Sequence, residues 1–304
     1  MATSSPIAAN PARSAAVAQP EPRSVGRGRS GVVGSVLSHV VLGVWALLVA
    51  YPFLWMVLTS FKADPEIFLS PWALPAAPRW DNFVRAWTDA AIGRYFLNSL
   101  IVVAGALALT LLLSAMAAYV LARFSFPGNR VIYYLFLAGL MFPVFLALVP
   151  LFFVVRDLRL LGTYQGLILV YTAYSLPFTV FFLHGFFRSL PGEVAEAAVV
   201  DGAGPFRVFF QIMLPLAQPG LVAVGIFNFL GQWNQYLLPL VLMPDPDRYV
   251  LSQGLAFLAI QRGYESDWSA LFAGLTITMV PTLVVYVIFQ KRVQQGLTVG
   301  ALKG

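Results

Sequence analysis

The sequence predicts an all-α integral membrane protein with six transmembrane helices, and three observations support this fold class. Of the 304 residues, 59% are hydrophobic and only 11% are Asp, Glu, Lys or Arg, whereas soluble globular proteins have about 25% charged residues. The mean hydropathy is +0.79, which leaves too few polar residues to cover a soluble core. Uncharged runs recur along the chain, and each exceeds the roughly 20 residues that a helix needs to cross the hydrocarbon core.

The predicted spans follow an N-terminal tail. Residues 1–30 are rich in Ala, Pro, Ser and Arg without apolar periodicity, so we expect a disordered cytoplasmic tail. The first uncharged run is too long for the apolar region of a secretory signal, which favours a retained helix. Prolines in the fifth run place the start of that span near Pro219. The predicted transmembrane domain covers 31–304, and its uncharged runs are Gly31–Phe61, Tyr95–Ala122, Val131–Val155, Leu160–Phe187, Val208–Pro244 and Trp268–Gln290.

The segments outside the spans are shorter and more polar. Residues 62–94 are predicted to form a loop, and 291–304 a short basic cytoplasmic tail. The apolar patch Tyr249–Gln261 is too short to cross the membrane, so we expect it to pack in an external loop. An even number of spans puts both termini on one side. The arginines of the N-terminal tail favour the cytoplasmic side of the cell membrane, because positive residues collect there.

The composition excludes several classes of function. The net charge of +6 comes from residues that flank the spans, so nucleic acid is not an expected partner. Cysteine is absent and only two histidines occur, His39 and His184, which argues against disulfides and a metal site. The predicted spans contain no charged residue, which disfavours a proton relay, although sodium coupling through backbone carbonyls stays open. No phosphate-binding G-x-x-x-x-G-K-[ST] loop is present, so we expect no cofactor in this chain and an energy source in a partner.

The loop between the fourth and fifth spans, 188–217, has a helical pattern. Pro191-Gly192 predicts a helix start, and Glu193 and Glu196 suit its N-terminal turn. Gly202 and Gly204 predict its end, because glycine adopts the left-handed conformation that terminates helices. Pro205 suits the first turn of a second helix.

The first of these two helices has small side chains that can serve recognition. We place Ala195, Ala197 and Ala198 on one side, and a short helix of this kind can enter a groove on another protein. A surface turn without any partner is the alternative that the spacing alone leaves open.

The same loop resembles the EAA loop of ABC importer permeases. The similarity is carried by Glu196-Ala197-Ala198, by Asp201-Gly202-Ala203, and by Ile212 with Leu214-Pro215. The resemblance implies the type I ABC importer permease fold, with a helix in this loop that docks on an ATPase subunit. The coupling residues it implies are Glu193, Glu196, Ala197, Ala198, Asp201, Gly202, Ala203 and Pro215.

The resemblance extends over most of the chain from about residue 35. Asn98-Ser99 is similar to the family's second span, Gly231–Tyr236 to its fifth, and the ending Gly296–Gly304 to the maltose-type sugar permeases. The 1–30 tail departs from the family. The resemblance implies a second homologous permease, two ATPase subunits that use ATP and Mg, an extracytoplasmic sugar-binding protein, and membrane lipid as partners.

Polar and aromatic residues in the spans are the candidates for the substrate pathway. Asn98, Ser99, Gln232, Asn234 and Tyr236 can hydrogen-bond sugar hydroxyls, and Trp233 can stack on a sugar face. The alternative is that these side chains bridge helices. The sequence leaves the sugar open among disaccharides, oligosaccharides, amino sugars and glycerol phosphate, and uncharged spans disfavour a phosphorylated substrate. An ion-coupled secondary transporter of a small polar solute is the competing function.

Overall fold

The computed structural model describes the backbone of residues 29–261 and 267–301, and the side chains of 35–260 and 267–290. All regular structure in this part of the chain is helical. The predicted tail 1–30 lies outside the described residues except for Arg29 and Ser30, which are helical. The chain divides after Pro52, within its first helix, into two units that are described separately.

The α-helices of the described residues are labelled in chain order. They are α1 (Arg29–Thr59), α2 (Asp64–Leu69), α3 (Asp81–Thr88), α4 (Ile92–Arg123), α5 (Asn129–Met141), α6 (Val144–Asp157), α7 (Tyr164–Ser189), α8 (Gly192–Val200), α9 (Pro205–Arg207), α10 (Leu214–Leu216), α11 (Gln218–Trp233), α12 (Leu237–Leu242), α13 (Leu251–Gln261) and α14 (Trp268–Ala301).

In the first unit, the described residues form the N-terminal part of α1. Its side chains from Ser35 to Pro52 are exposed and carry no formal charge. A helix that is apolar on every side is unstable in water, whereas lipid or a protein partner can cover it. This stretch therefore has the character of a membrane span.

In the second unit, α4 and α7 pack closely against each other, and α5 and α11 pack against α7. Small side chains on α4 allow this close approach, because Ala106, Ala115 and Ala118 are fully buried. Buried hydroxyls add to the contact: Thr172 Oγ1 donates to the backbone oxygens of Ile168 at 2.8 Å and of Ala106 at 3.4 Å.

Four continuous helices are long and apolar enough to cross a membrane, and two bent helix pairs pass the same test together. The continuous ones are Ser35–Thr59, Ile92–Arg123, Tyr164–Ser189 and Trp268–Gln290. The bent pairs are Asn129–Met141 with Val144–Asp157, at 105°, and Pro205–Leu216 with Gln218–Trp233, at 71°. Counting each pair as one span gives the six predicted from the sequence.

The third span differs from the prediction, which made 131–155 one continuous helix. The chain breaks between α5 and α6 at Phe142-Pro143. Phe142 has an extended backbone with φ −80° and ψ 120°, because a following proline disfavours the helical conformation. Pro143 also brings no backbone N–H, so the helix cannot continue through it.

The fifth span, counted as a bent pair, starts at Pro205, before its predicted position, and it ends earlier than predicted. Its straight part, α11, begins at Gln218 beside Pro219, as the proline argument indicates. It ends at Trp233, and the chain resumes helical structure only at Leu237. The Gln235 side chain accepts hydrogen bonds from the backbone N–H groups of Tyr236, at 3.1 Å, and Leu237, at 3.3 Å, and so caps this restart.

The connecting segments have more structure than the sequence indicates. Residues 62–94 contain α2 and α3, and the fully buried Lys62 donates from Nζ to two backbone oxygens at 3.0 Å. Arg85 in α3 donates to Asp267 at 2.8 Å, and this hydrogen bond raises the pKa of the guanidinium.

The short apolar patch forms α13, and α14 stays helical in its backbone to Ala301, into the predicted 291–304 tail.

Candidate functional site

The 188–217 loop forms a short helix with a defined turn, as predicted. α8 begins directly after Pro191 and ends at Val200. Gly202 has a φ of +81°, in the left-handed region. Its N–H donates to the Val199 oxygen at 3.0 Å, and the N–H of Ala203 donates to the Ala198 oxygen at 2.9 Å. These two hydrogen bonds form a Schellman motif, so glycine at 202 fixes the direction in which the chain leaves α8.

The inner side of the loop packs on the ends of α4 and α7. Ala198, Val208, Phe209 and Met213 are buried there in one apolar cluster. The ring of Tyr119 lies 5.0 Å from that of Phe209, centroid to centroid. The loop is therefore seated on the transmembrane helices and does not hang free.

A polar contact fixes the start of the loop. Arg123, the last residue of α4, donates from Nη2 to the backbone oxygen of Leu190 at 2.6 Å. This charge-assisted hydrogen bond holds the residue that immediately precedes the Pro191-Gly192 start of α8.

The outer side of the loop presents both acidic and apolar side chains. Glu193, Glu196, Ala197, Asp201, Gly202 and Pro215 are exposed, whereas Ala198 and Ala203 pack inward among the predicted coupling residues. The placement of three alanines on one side is wrong. Ala195 and Ala198 face the core and Ala197 is exposed, because three residues within four positions cannot share one side of a helix.

Large apolar side chains are also exposed on the loop, and two of them are exposed most. Val200 is 86% exposed and Phe206 is 75% exposed. Large apolar groups next to carboxylates, on a segment held by the protein core, are typical of a surface that binds another protein.

From Pro205 onward, the loop continues into the fifth span without an irregular break before Ala217. α9, a π-helical turn at Val208–Met213, and α10 form one helical segment as far as Leu216. π-helical turns occur frequently at functional sites. The bend of 71° follows, and α11 then begins. A displacement of α8 would thus reach α11 across two non-helical points, the turn at 201–204 and the bend at Ala217.

A cavity of about 470 Å³ lies beside the breaks in the third and fifth spans. Non-helical backbone at membrane depth is tolerated where it lines a cavity or is buried in protein. The bend at Phe142-Pro143 forms part of the cavity wall. The lining comes from the α5–α6 bend, α7, α11 and the start of α12, and comprises Gly139, Leu140, Phe142, Pro143, Val144, Phe145, Tyr171, Tyr174, Ser175, Pro177, Phe178, Phe227, Asn228, Gly231, Gln232, Gln235, Leu237 and Leu238.

A polar ladder of four buried side chains joins α7 to α11 beside this cavity: Ser175, Thr179, Asn228 and Gln232. Gln232 Nε2 donates to Ser175 Oγ at 3.0 Å. Asn228 Nδ2 donates to Thr179 Oγ1 at 2.9 Å, and that hydroxyl donates to the Ser175 backbone oxygen at 2.7 Å. Thr179 is the one member that does not line the cavity. The oxygen Oε1 of Gln232 is buried without a hydrogen-bond donor.

The predicted pathway residues separate into different places. Gln232 lines the cavity, as the pathway hypothesis requires. Asn98 and Ser99 lie elsewhere, buried where α4 meets the segment that leads into α13. Asn98 donates to the Tyr249 oxygen at 2.9 Å and accepts from the Tyr164 hydroxyl at 2.8 Å. For this pair, the geometry favours the helix-bridging alternative.

The remaining three candidates do not line the cavity either. Trp233 is 3% exposed, stacks on Phe229 with centroids 5.6 Å apart, and donates to the Thr278 oxygen at 3.3 Å. Asn234 is exposed and donates to the Leu230 oxygen of the preceding helix α11. Tyr236 is 37% exposed, just beyond the end of α11. Sequence similarity grouped these residues, but their side chains point in different directions from the chain and so reach different places.

Sequence reasoning missed Ser175, Asn228 and Gln235. A usable signal exists, because Ser175 and Thr179 are four residues apart, as are Asn228 and Gln232. Polar residues at this spacing lie on one side of a helix. Among the residues that the structure describes, no group of three or more His, Asp and Glu side chains is arranged to hold a metal ion.

Comparisons with known proteins agree with this architecture. The family described as binding-protein-dependent transport system inner membrane component matches residues 110–299. The diacetylchitobiose uptake system permease protein of Streptomyces coelicolor is 55% identical over 88% of this chain and 89% of its own length. The trehalose/maltose transport system permease protein of Thermococcus litoralis is 32% identical over 88% of this chain and 98% of its own.

A solved structure shares the fold. It is a bacterial ABC transporter involved in the import of the acidic polysaccharide alginate, with a TM-score of 0.79, 21% identity, and coverage of 87% of this chain and 98% of that chain. The fold is thus that of an ABC importer permease, and family membership implies an ATPase partner and a substrate-binding protein. The chain belongs to the binding-protein-dependent transport system inner membrane components, as a multi-pass permease subunit of an ABC importer.

Proposed function

We propose that this permease moves a neutral di- or oligosaccharide, and that its 188–217 loop receives the driving force from a separate ATPase. The cavity carries the substrate part of the proposal. Among the residues that the structure describes, its lining has amides, hydroxyls and aromatic rings but no charged side chain. Planar amides hydrogen-bond sugar hydroxyls, and aromatic rings cover the apolar faces of sugars. The two sugar-transport relatives, named for diacetylchitobiose and for trehalose and maltose, support this substrate class.

The absence of charged side chains from the described lining also favours neutral sugars over acidic or phosphorylated ones. An acidic or phosphorylated sugar would need a cation nearby, since an unpaired charge in an apolar cavity is costly. A neutral glycan needs only hydrogen-bond partners and apolar contact, and this lining offers both. We therefore propose a neutral glycan and not a uronate or a sugar phosphate.

We further propose the assembly in which the chain works. A second homologous permease completes the pathway, two ATPase subunits bind ATP and Mg, and the binding protein delivers sugar from outside. The 188–217 loop faces the cytoplasm, because its exposed carboxylates and apolar groups suit an ATPase surface, and both termini lie on that side. The proposed coupling residues are Glu193, Glu196, Ala197, Ala198, Asp201, Gly202, Ala203 and Pro215, of which Ala198 and Ala203 hold the loop to the core.

A vesicle experiment tests the proposed function. The complex with its partner permease, ATPases and binding protein is reconstituted, and uptake of diacetylchitobiose is measured with ATP inside. We expect accumulation that requires ATP and is lost in Glu196→Lys, since the reversed charge opposes docking. The matched control is Asp157→Lys, an exposed acid at the end of α6 outside the loop, which is expected to keep uptake within about twofold.

The same vesicles test the competing function. An ion-coupled transporter would accumulate sugar in response to an imposed sodium or proton gradient without ATP. Gradient-driven uptake of that kind, or full uptake in Glu196→Lys, would contradict the proposed coupling.

A further inference from the structure

Gln232, a residue of the cavity wall, carries a buried acceptor that the protein itself does not satisfy. Gln232 is 5% exposed and lines the cavity, yet its Oε1 has no donor, whereas its Nε2 is engaged by Ser175. Leaving a buried acceptor unpaired is unfavourable, and most such groups in proteins are paired. Because Oε1 is covered in this conformation, bulk water does not supply the missing donor.

The surroundings restrict what the missing donor can be. Within the cavity, Tyr174, Phe178 and Phe227 present aromatic surface, and the described lining has no Lys or Arg that would supply a cationic donor. A ligand that fits must therefore be neutral, carry a hydroxyl or an amide N–H, and have apolar C–H faces for the rings. A neutral sugar has all three properties.

We propose that Gln232 is a substrate-binding residue of this chain, whose Oε1 accepts a hydrogen bond from a hydroxyl or amide N–H of the transported glycan. The inference rests on the proposed function and adds a specific contact to it. Rotation about the terminal amide torsion, which is soft, turns the oxygen toward the cavity as sugar enters. Because the planar amide rotates as a unit, Nε2 then leaves Ser175, which holds Gln232 only in the sugar-free state.

The transport test separates binding from folding. In the reconstituted complex, sugar moved and ATP hydrolysed are both measured for wild type, Gln232→Met and the control Asn234→Leu. Methionine keeps the side-chain volume but removes the acceptor. We expect Gln232→Met to lower the sugar moved per ATP about five- to tenfold, the effect of one hydrogen bond, with ATP hydrolysis within twofold of wild type. Asn234→Leu, directly after the end of the same helix and outside the cavity, should match wild type in both.

Labelling gives a second readout that does not depend on turnover. The chain has no cysteine, and a side chain at Gly231 would meet no heavy atom within 4 Å. Diacetylchitobiose should slow the maleimide labelling of Gly231→Cys, which lines the cavity. It should not slow labelling of Asn234→Cys, and the protection at 231 should disappear when Gln232→Met is added. Labelling is followed on this chain after the subunits are separated.

The outcomes are distinct. An unchanged ratio of sugar to ATP in Gln232→Met, or an unchanged protection at Gly231→Cys, overturns the inference while leaving the proposed function standing. Equal loss of transport and ATP hydrolysis assigns Gln232 a structural role and also overturns it. Wild-type vesicles that take up no sugar with ATP contradict the proposed function itself.

Discussion

The 188–217 loop and the polar ladder beside the cavity are built in opposite ways. The loop takes its shape from neighbours in sequence: Pro191 starts its helix, and Gly202 ends it with a local hydrogen-bonding motif. The polar ladder pairs residues that are 49 and 57 positions apart. The comparison teaches that the proposed contact with the ATPase is encoded by residues close in sequence, whereas the proposed contact with the substrate depends on how the spans pack.

The largest effect is expected from a change at the left-handed turn of the loop. Gly202→Asp places a charged side chain next to Asp201 in the loop, at a φ of +81°, a conformation that costs most L-residues roughly 1–2 kcal/mol. We expect uptake in cells to be lost while the protein stays in the membrane at normal abundance. Uptake assays with immunoblotting of membranes measure both quantities.

Two alanine variants separate strain from contact at this turn. A side chain at Gly202 or at Gly204 meets no heavy atom within 4 Å, but only Gly202 has a positive φ. Gly202→Ala should therefore lower uptake, by up to tenfold for a strain of about 1.4 kcal/mol, and Gly204→Ala should leave it unchanged. Equal activity of the two variants would show that the left-handed turn is irrelevant to coupling.

The exposed apolar part of the loop should matter for assembly but not for folding. Phe206 is 75% exposed, so Phe206→Ser removes little packing within the chain. If the ATPase covers this ring, its loss should weaken co-purification of the ATPase by about tenfold, which corresponds to roughly 1.4 kcal/mol. The thermal unfolding midpoint of the isolated chain should not move. Unimpaired co-purification would exclude Phe206 from the interface.

A smaller effect, on stability alone, is expected at Asn98. Asn98→Ala leaves the Tyr164 hydroxyl and the Tyr249 oxygen without their present partner, which should destabilise the fold by about 1–3 kcal/mol. Detergent-solubilised protein should unfold at lower temperature, and uptake per folded molecule should stay near wild type. A normal unfolding midpoint together with lost uptake would instead support the hypothesis that Asn98 lies in the substrate pathway.

The smallest effect is expected at Asn234. Its side chain is exposed and donates to the Leu230 oxygen of the preceding helix α11, so Asn234→Ala should change the free energy of unfolding by less than about 0.5 kcal/mol. Uptake should also be unaffected. Asn234 belongs to the same sequence motif as Gln232. A difference in uptake between variants at the two positions would therefore reflect where packing places each side chain and not the motif itself.

The sequence predicts the loop well because its determinants are short-range. Proline and glycine fix backbone conformations wherever they occur, and the turn at Gly202 needs only the residues of α8 and the next two positions. The same reasoning placed the start of α11, the straight part of the fifth span, beside Pro219. The break of the third span at Phe142-Pro143 was missed, although the same proline argument applies to it.

The cavity could not be predicted in the same way. Its wall combines the α5–α6 bend with α7, α11 and α12, and sequence alone does not show which sides of these helices meet. Asn98 and Trp233 were therefore grouped with Gln232, although packing places them in separate clusters of contacts. Ser175 and Asn228 carried a readable spacing signal, but their roles depend on the pairing of α7 with α11.

Cross-linking tests the central claim, contact between the 188–217 loop and an ATPase, most directly. Val200→Cys introduces a cysteine into a chain that has none, at a loop residue that is 86% exposed. In the assembled complex, a bifunctional maleimide should join it to an ATPase subunit, whereas Leu69→Cys, 82% exposed at the end of α2, should give no ATPase product. Cross-linking of the ATPase from Leu69→Cys but not from Val200→Cys would contradict the account.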